Sequence, residues 1–573
     1  MEKKNNIQKY TLIFVSMILL SFLYVYSFYR TGTLFVASDR IFHLERMEEV
    51  YQSLKSGHLI NQISTYSAKS VGIAVGRFYP SVNLVIYSLI RLILQNPIQS
   101  IYVFIFTETL LGLVIAFYAG NVFFNNKKLA YLFAIQLRLS TYVMHNDFSR
   151  FDIGESWSLI FVPLSLVGFY LILKEKRTIR GILLLSLGVS LELYSHILTA
   201  FITVLCIIIM YFIYILLVNK FNLKKLISFF ISSLIIIINT VIVTVPLLEY
   251  YLKVGVVEPE KIQWDMYDFS FVKIFNTSLE NSISSPNLGV IGIVTIILIM
   301  IIMGKQIIDV KVKLLTTYII FFLVMVTNLF PWMLLTDTPI NIIQYPWRLM
   351  AIIIPLISVM FVYVIDKKIG LEYKRLVMII IFNIIISLGT QNIFIENAYK
   401  TTTYAPSTSY LRSPWGYLID SKDYNESLSR NNLDNSYGYH DYIPKKSEGV
   451  IKNIYNLEVI QESWKRKLRE NEIKRSYHKV TYDLSNLPKK SGEMKLPFII
   501  YRNSDYRLFV NNHRVKVESD KNGQLVINKD NKSRVKVEIE YLVPTFHKIL
   551  LAVSIISVLF NIIVLFIIKF WNI

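Results

Sequence analysis

Apolar runs of membrane-spanning length alternate with short basic segments along most of this chain, and only the stretch after about Glu396 departs from that rhythm. A helix needs roughly 20 mainly apolar residues to cross the hydrocarbon core of a bilayer. Tyr10–Phe28, Ile101–Gly120, Leu129–His145, Trp157–Leu173, Gly181–His196 and Ala200–Val218 approach that length. So do Leu226–Leu247, Gly289–Met303, Leu314–Phe330, Trp347–Ile365, Leu376–Ile393 and His547–Ile568. Pro80–Leu94 is apolar as well, but it opens on a proline and carries Arg91, which suits a helix lying along the interface. With that segment kept out of the membrane, Lys127/Lys128, Lys174/Lys176/Arg177, Lys220/Lys224/Lys225, Lys305/Lys311/Lys313 and Lys367/Lys368/Lys374/Arg375 share one side. The positive-inside rule makes that side, and both termini, cytoplasmic.

Late in the chain the period changes to two. Arg507–Val517, Gln524–Ile527 and Arg534–Tyr541 alternate apolar and polar positions, with Asn511–Asn512 as a hairpin turn. The expected architecture is therefore a mainly α, polytopic membrane protein of about 12 transmembrane helices with a small extracytoplasmic antiparallel β-rich domain. Residues 1–395 form its transmembrane domain with outer loops 29–94 and 146–156; residues 396–543 form the β-rich domain and 544–573 a last transmembrane helix.

Composition agrees. The 573 residues are 54% hydrophobic and 17% charged, against about 25% charged in soluble domains. The net charge of +20 sits largely in the short loops, where it sets topology; no nucleic-acid module accompanies it. Cys206 is the only cysteine, which excludes disulfides and cysteine-rich zinc sites. No small-residue cleavage site follows the first apolar run, so an uncleaved first helix is expected. P-loop, dinucleotide-fold, HExxH and GxSxG signatures are absent, so a donor would have to arrive through the membrane.

Three outer segments carry candidate chemistry. A helix starting at Asp39 places Asp39, His43 and Arg46 on one face. That carboxylate can take a proton from a sugar hydroxyl, or it can simply cap the helix. Between two crossings, Asp147, Arg150, Asp152 and Glu155 fall within ten residues. Such oxygen density suits Mg²⁺, Mn²⁺ or sugar hydroxyls, and equally suits loop solvation and capping. Gln344-Tyr345-Pro346-Trp347-Arg348 opens the tenth crossing, where Arg348 can clamp a phosphate or anchor the interface. Deeper, Glu192, His196 and Arg138 are ionisable groups at or near membrane depth, which point to a cavity or to boundary positions.

Asp39-x-x-x-His43-x-x-Arg46, Arg150-x-x-x-Gly154-Glu155, Ser195-His196, Gln344-Tyr345-Pro346-Trp347-Arg348 and Asp441-Tyr442-Ile443-Pro444 occur in this order. Together they resemble the motifs of the bacterial YfhO-like proteins, also called 6-pyruvoyl-tetrahydropterin synthase-related membrane proteins, of the GT-C glycosyltransferase superfamily. The resemblance spans nearly the whole chain and implies sugar transfer from a polyprenyl-phosphate donor to a cell-envelope glycopolymer such as a teichoic acid. It implies Asp39 as the base, His43, Asp147, Arg150, Asp152 and Glu155 on the acceptor or metal side, and Arg348 with Gln344 and Trp347 at the donor phosphate. His196 is a further cavity candidate. The first loop has a single aspartate, Asp39, with Arg40 next, and not a D-x-D pair, so metal dependence stays open, with Asp152 and Glu155 as the ligands if there is a metal. The competing readings are a flippase of lipid-linked glycans, with Glu192, His196 and Arg138 along its path, and a non-catalytic assembly protein.

Overall fold

The computed structural model describes residues 2–36, 39–175, 178–219, 221–258, 270–303, 309–369, 372–401, 417–428, 437–462, 464–488, 491–529 and 535–571. Lys176, Arg177, Lys220, Lys305 and Arg534, named above, lie outside those residues.

Among the described residues, eight helices are long and apolar enough to cross a membrane: Gln8–Tyr29, Pro97–Phe124, Ile153–Lys174, Thr178–Ser195, Ile197–Val218, Pro346–Lys367, Tyr373–Lys400 and Thr545–Ile568. Leu223–Asn239 and Val241–Lys253, bent by 80° at Thr240, make a ninth if counted as one span. The remaining expected crossings are shorter among the described residues. Lys127–Arg138 has 12 residues, Gly289–Met303 has 15 and Val310–Val326 has 17. The expected run Leu129–His145 stops as one helix at Arg138 because the chain turns at Leu139–Ser140 and continues as Thr141–Met144. From His145 to Arg150 it then winds as a wider π-type turn. Hydropathy counts apolar length and cannot see such a diversion.

Close helix contact depends on small residues, since lipid tails give apolar side chains no reason to prefer each other. Ile153–Lys174 and Thr178–Ser195 run side by side through Gly168, Gly181 and Gly188. A Cβ on Gly168 would overlap the Leu185 backbone, and one on Gly188 would overlap Ser165.

At one end of this array sits helix Arg40–Lys55, and Val82–Leu94 packs against it as the short helix expected there. Between them the chain has little regular structure, yet it is fixed by one carboxylate. Glu49 accepts backbone N–H groups of Thr65, Tyr66 and Ser67 at 3.1, 2.8 and 2.7 Å. Burial pushes the Glu49 carboxyl up, and these bonds oppose it.

Among the described residues, the chain from Glu458 to Tyr541 forms two antiparallel five-stranded sheets. One runs Glu518–Ser519, Gln524–Lys529, Gly492–Ile499, Glu458–Gln461, Trp464–Lys467; the other Ile473–Ser476, Lys479–Asp483, Lys536–Tyr541, Tyr506–Val510, His513–Val515. Asn511 and Asn512 take φ of 50° and 66°, which matches strand twist in a two-residue hairpin. Val480, Tyr482, Leu496, Phe498, Val537 and Ile539 are fully buried, as alternation requires. The sheets are tied to the helices by Glu249, which meets Arg502 at 2.6 Å, His547 at 3.5 Å and Arg77 at 3.8 Å.

Gly168→Leu should split the two glycine-packed helices and cost on the order of 1–3 kcal/mol. Thermal unfolding in detergent is expected to show a lower Tm than wild type, with Ile208→Leu on the exposed face of Ile197–Val218 as the unaffected control.

Candidate active site

Arg150 stands at the centre of the expected cluster. Its Nε donates to Asp39 Oδ2 at 2.9 Å, Nη2 meets Asp152 Oδ2 at 2.8 Å and Nη1 meets Glu155 Oε2 at 2.6 Å. Nη1 also donates to Asn146 Oδ1 at 3.2 Å. The π-type turn carries Asn146 and Arg150, and Phe151 then adopts φ 59° to reverse the chain into helix Ile153–Leu159. A left-handed bulky residue is strained, and such strain is often kept where it aims functional side chains. Here it puts Arg150 and Asp152 in contact. Asp152 also caps the new helix by accepting from Glu155 N at 3.0 Å.

Asp39 occupies the cap position of helix Arg40–Lys55, but its carboxylate makes no cap hydrogen bond. It faces Arg150 instead. Its side chain is 43% exposed, whereas those of Asp152 and Glu155 are 4% and 1% exposed. Asp39 is therefore the carboxylate that an incoming group can reach.

His43 and Arg46 share the Asp39 face, as the spacing predicts. His43 Nε2 lies 3.2 Å from Asp152 Oδ1. Arg46 Nη1, which can only donate, sits 3.3 Å from His43 Nδ1. This assigns the tautomer: Nδ1 accepts and Nε2–H points at Asp152. With both nitrogens engaged, His43 orients Asp152 and has no free lone pair for a substrate proton. Arg46 also donates to Pro80 O at 2.6 Å and lies 3.8 Å from the Tyr79 ring centroid.

Tyr79, not singled out in the sequence, donates its hydroxyl to Asp152 Oδ1 at 3.1 Å. A Cβ at position 154 would overlap that hydroxyl, which explains glycine in Arg150-x-x-x-Gly154-Glu155. Tyr142, also unforeseen, donates to Glu155 Oε1. Nothing in a single sequence separates these two tyrosines from the other 35 of the 37 present. The Asp441–Pro444 segment arrives through Tyr442, stacked on Phe42 with centroids 5.7 Å apart.

Burial alone would raise the Asp152 carboxyl, but Arg150, His196 and His43 outweigh it and hold that group well below the usual carboxylate range.

The Gln344–Arg348 segment closes the other side. Trp347 covers the Arg150 guanidinium at 4.8 Å from its ring centroid, and His145 meets Trp347 edge-on at 6.3 Å. Gln344 adopts φ 62° and accepts from Arg348 Nη1 at 2.8 Å; Ile343 O accepts from the same nitrogen at 3.0 Å. Arg348 is 7% exposed, and its guanidinium carbon lies 5.2 Å from the Tyr345 ring centroid and 5.8 Å from that of Trp347. Among the described residues it forms no ion pair with any carboxylate. His196 lies beside Tyr79, with centroids 5.5 Å apart, and its Nδ1 is 2.7 Å from Thr199 Oγ1.

Asp147 lies elsewhere. It meets Arg138 Nη2 and the Tyr24 hydroxyl, each at 2.6 Å, in a buried network with Glu108, whose Oε1 is 3.2 Å from Arg138, and Ser156. Its chain neighbour Phe148 packs inward on Phe28, so this carboxylate turns from Arg150 toward the helix interior. Glu192 accepts from Ser165 at 2.5 Å. Arg138, Glu192 and His196 thus keep separate partners, and no shared path through them is evident among the described residues.

A divalent cation does not fit the Asp39–Asp152–Glu155 donor set, because the Arg150 guanidinium already fills the point where the three carboxylates converge. Among the described residues no group of three or more His, Cys, Asp or Glu side chains is arranged to hold a metal.

No family model and no curated protein sequence matches the chain. Among solved structures it is similar to the arabinofuranosyltransferase AftD from Mycobacteria, at 11% identity and TM-score 0.47, covering 78% of this chain and 33% of that one. It is similar to ArnT from Cupriavidus metallidurans bound to undecaprenyl phosphate, at 10% identity and TM-score 0.39, covering 68% and 64%. The Archaeoglobus fulgidus oligosaccharyltransferase, in complex with Zn and sulfate, gives 12% identity and TM-score 0.40, covering 66% and 53%. The chain thus spans a third to under two thirds of these proteins.

A carboxyl depressed in the folded state stabilises it above the unfolded value, about pH 3.9, and that contribution fades as pH falls through the folded value. Asp152→Asn should therefore lower Tm equally at pH 5 and pH 8. The gap to wild type should narrow below about pH 4, as read by thermal unfolding across pH.

Proposed function

We propose that this chain is an inverting membrane glycosyltransferase that moves a sugar from a polyprenyl-phosphate donor to a cell-envelope glycopolymer, teichoic-acid-like, on the extracytoplasmic face. The observation that carries this reading is that the Trp347 ring links an exposed carboxylate to a buried arginine: Arg150, 2.9 Å from Asp39, lies 4.8 Å from the ring centroid, and Arg348, which has no carboxylate partner among the described residues, lies 5.8 Å from it. A group-transfer site needs a base for the incoming hydroxyl and a charge for the leaving phosphate. These two side chains have those properties.

In the proposed reaction Asp39 takes the acceptor's hydroxyl proton as its oxygen bonds to the anomeric carbon. The bond from that carbon to the phosphate oxygen breaks, and the electron pair leaves with the polyprenyl phosphate. Arg348, oriented by Gln344 and the Ile343 carbonyl, receives the developing negative charge. Trp347 lies over Arg150, its ring centroid 4.8 Å from the guanidinium carbon. Arg150 holds Asp39 in place and supplies fixed positive charge among the carboxylates, so this reaction is proposed to run without Mg²⁺ or Mn²⁺. Tyr442 and the adjoining sheets, on the same side, would help to position the acceptor.

The test is transfer of labelled sugar from a polyprenyl-phosphate donor by the purified protein, with mass spectrometry of surface polymers in a deletion strain as its cellular counterpart. Asp39→Asn should lower the transfer rate by about 10²–10⁴-fold while Tm stays within a degree or two of wild type. EDTA should leave the wild-type rate unchanged. A folded Asp39→Asn protein with full activity, or a deletion strain that keeps every sugar substituent, would overturn the proposal in favour of transport or assembly.

A further inference from the structure

Arg40 plays no part in the network just described. It is the first residue of helix Arg40–Lys55 and only 2% exposed. Its guanidinium carbon lies 4.9 Å from the Phe35 ring centroid and 5.3 Å from that of Phe151. Among the described residues its Nε and Nη1 find no hydrogen-bond acceptor, and no carboxylate pairs with it. Arg138 and Arg150 are as deeply buried, yet each has two or more carboxylate partners. An unpaired buried cation is costly. Burial accordingly pulls the Arg40 guanidinium down to about 9, opposed by Tyr102.

A second observation coincides with the first. The opening turn of this 16-residue helix has no side-chain cap, because Asp39 turns its carboxylate to Arg150. The first amides of the helix, those of Arg40, Ile41 and Phe42, are therefore without the acceptor a capping aspartate would give. Side chains on a helix lean toward its N-terminus, and the Arg40 guanidinium lies against Phe35, which precedes the helix in the chain. The uncapped amides, the positive end of the helix and a guanidinium with two unpartnered nitrogens thus belong to one helical turn, next to Asp39 in the chain.

We infer that Arg40 and the uncapped start of helix Arg40–Lys55 form a binding site for a phosphoryl group, separate from Arg348. A tetrahedral oxyanion presents several oxygens. Two can take the arginine fork while another accepts the helix amides. The anion would supply the charge that Arg40 lacks and would hold a phosphate-bearing reactant next to Asp39. Only that last pairing rests on the transferase reading; the site itself does not.

The test uses the full-length protein in detergent, in an Arg348→Gln background so that Arg348 contributes nothing. Thermal unfolding is followed against inorganic phosphate, and separately against polyprenyl monophosphate in the micelle, with chloride at matched ionic strength. Either probe should raise Tm by several degrees. A shift with the lipid alone identifies a lipid headgroup as the source, and a shift with inorganic phosphate identifies a soluble or polymeric phosphoryl group. Arg40→Met should abolish the shift while leaving the unliganded Tm unchanged or higher, since a buried unpaired charge is replaced by an apolar chain of similar reach. Arg40→Lys, which keeps the charge and loses the fork, should bind about tenfold more weakly and serves if the methionine variant does not fold. No shift with either probe, or equal shifts in wild type and the Arg40 variants, would overturn the site and reduce Arg40 to a wedge between two rings. Asp39→Asn should keep the shift even while it loses transfer, so the two readings fail separately.

Discussion

A guanidinium buried among carboxylates can tie together chain segments that share no backbone hydrogen bonds, and the candidate site depends on one such group. Arg150 joins Asp39, at the start of one helix, to Asp152 and Glu155, at the start of another, with Asn146 behind. Asp152 and Glu155 would each be expensive to bury alone. Around a single fork of donors they become mutually supporting, and His43, Tyr79 and Tyr142 take up the remaining oxygen lone pairs of Asp152 and Glu155. The backbone accommodates this by a π-type turn and a left-handed residue at Phe151. Removal of the cation would leave three carboxylates facing one another.

Charge is distributed unevenly around that centre. Arg40, Arg46 and Arg348 are buried, and Arg46 and Arg348 are held by neutral acceptors while all three lie against aromatic rings. Arg138 follows the opposite pattern, being paired with Glu108 and Asp147 within the helix array. The contrast separates arginines whose charge is used up in holding the fold from those whose charge is left for something else.

The sheets are coupled to this arrangement at two places. Glu249, on the second arm of the bent helix pair, meets Arg77, Arg502 and His547. It thereby joins the first loop, the sheets and the last membrane helix. Closer to Asp39, Phe42 packs against Tyr439 and Tyr442, so the segment that carries the sheets also forms part of the site wall. A displacement of the sheets would be felt at helix Arg40–Lys55.

The sequence by itself determined the polytopic architecture, the late antiparallel strands and the hairpin at Asn511–Asn512, because hydropathy over about 20 residues and period-two alternation are local signals. Asp39, His43, Arg150, Asp152, Glu155 and the Gln344–Arg348 segment were legible as short polar motifs in an apolar chain. Tertiary structure alone decided how these groups divide. It turned Asp147 toward Arg138 and left Asp39 without a capping role. It also set Arg150 among Asp39, Asp152 and Glu155 and brought Tyr79 to Asp152. It broke the third apolar run at Arg138 to make the π-type turn. The reason is physical: which carboxylate a guanidinium meets depends on side-chain direction across segments more than 100 residues apart, as for Arg150 and Asp39, and no local pattern encodes that direction.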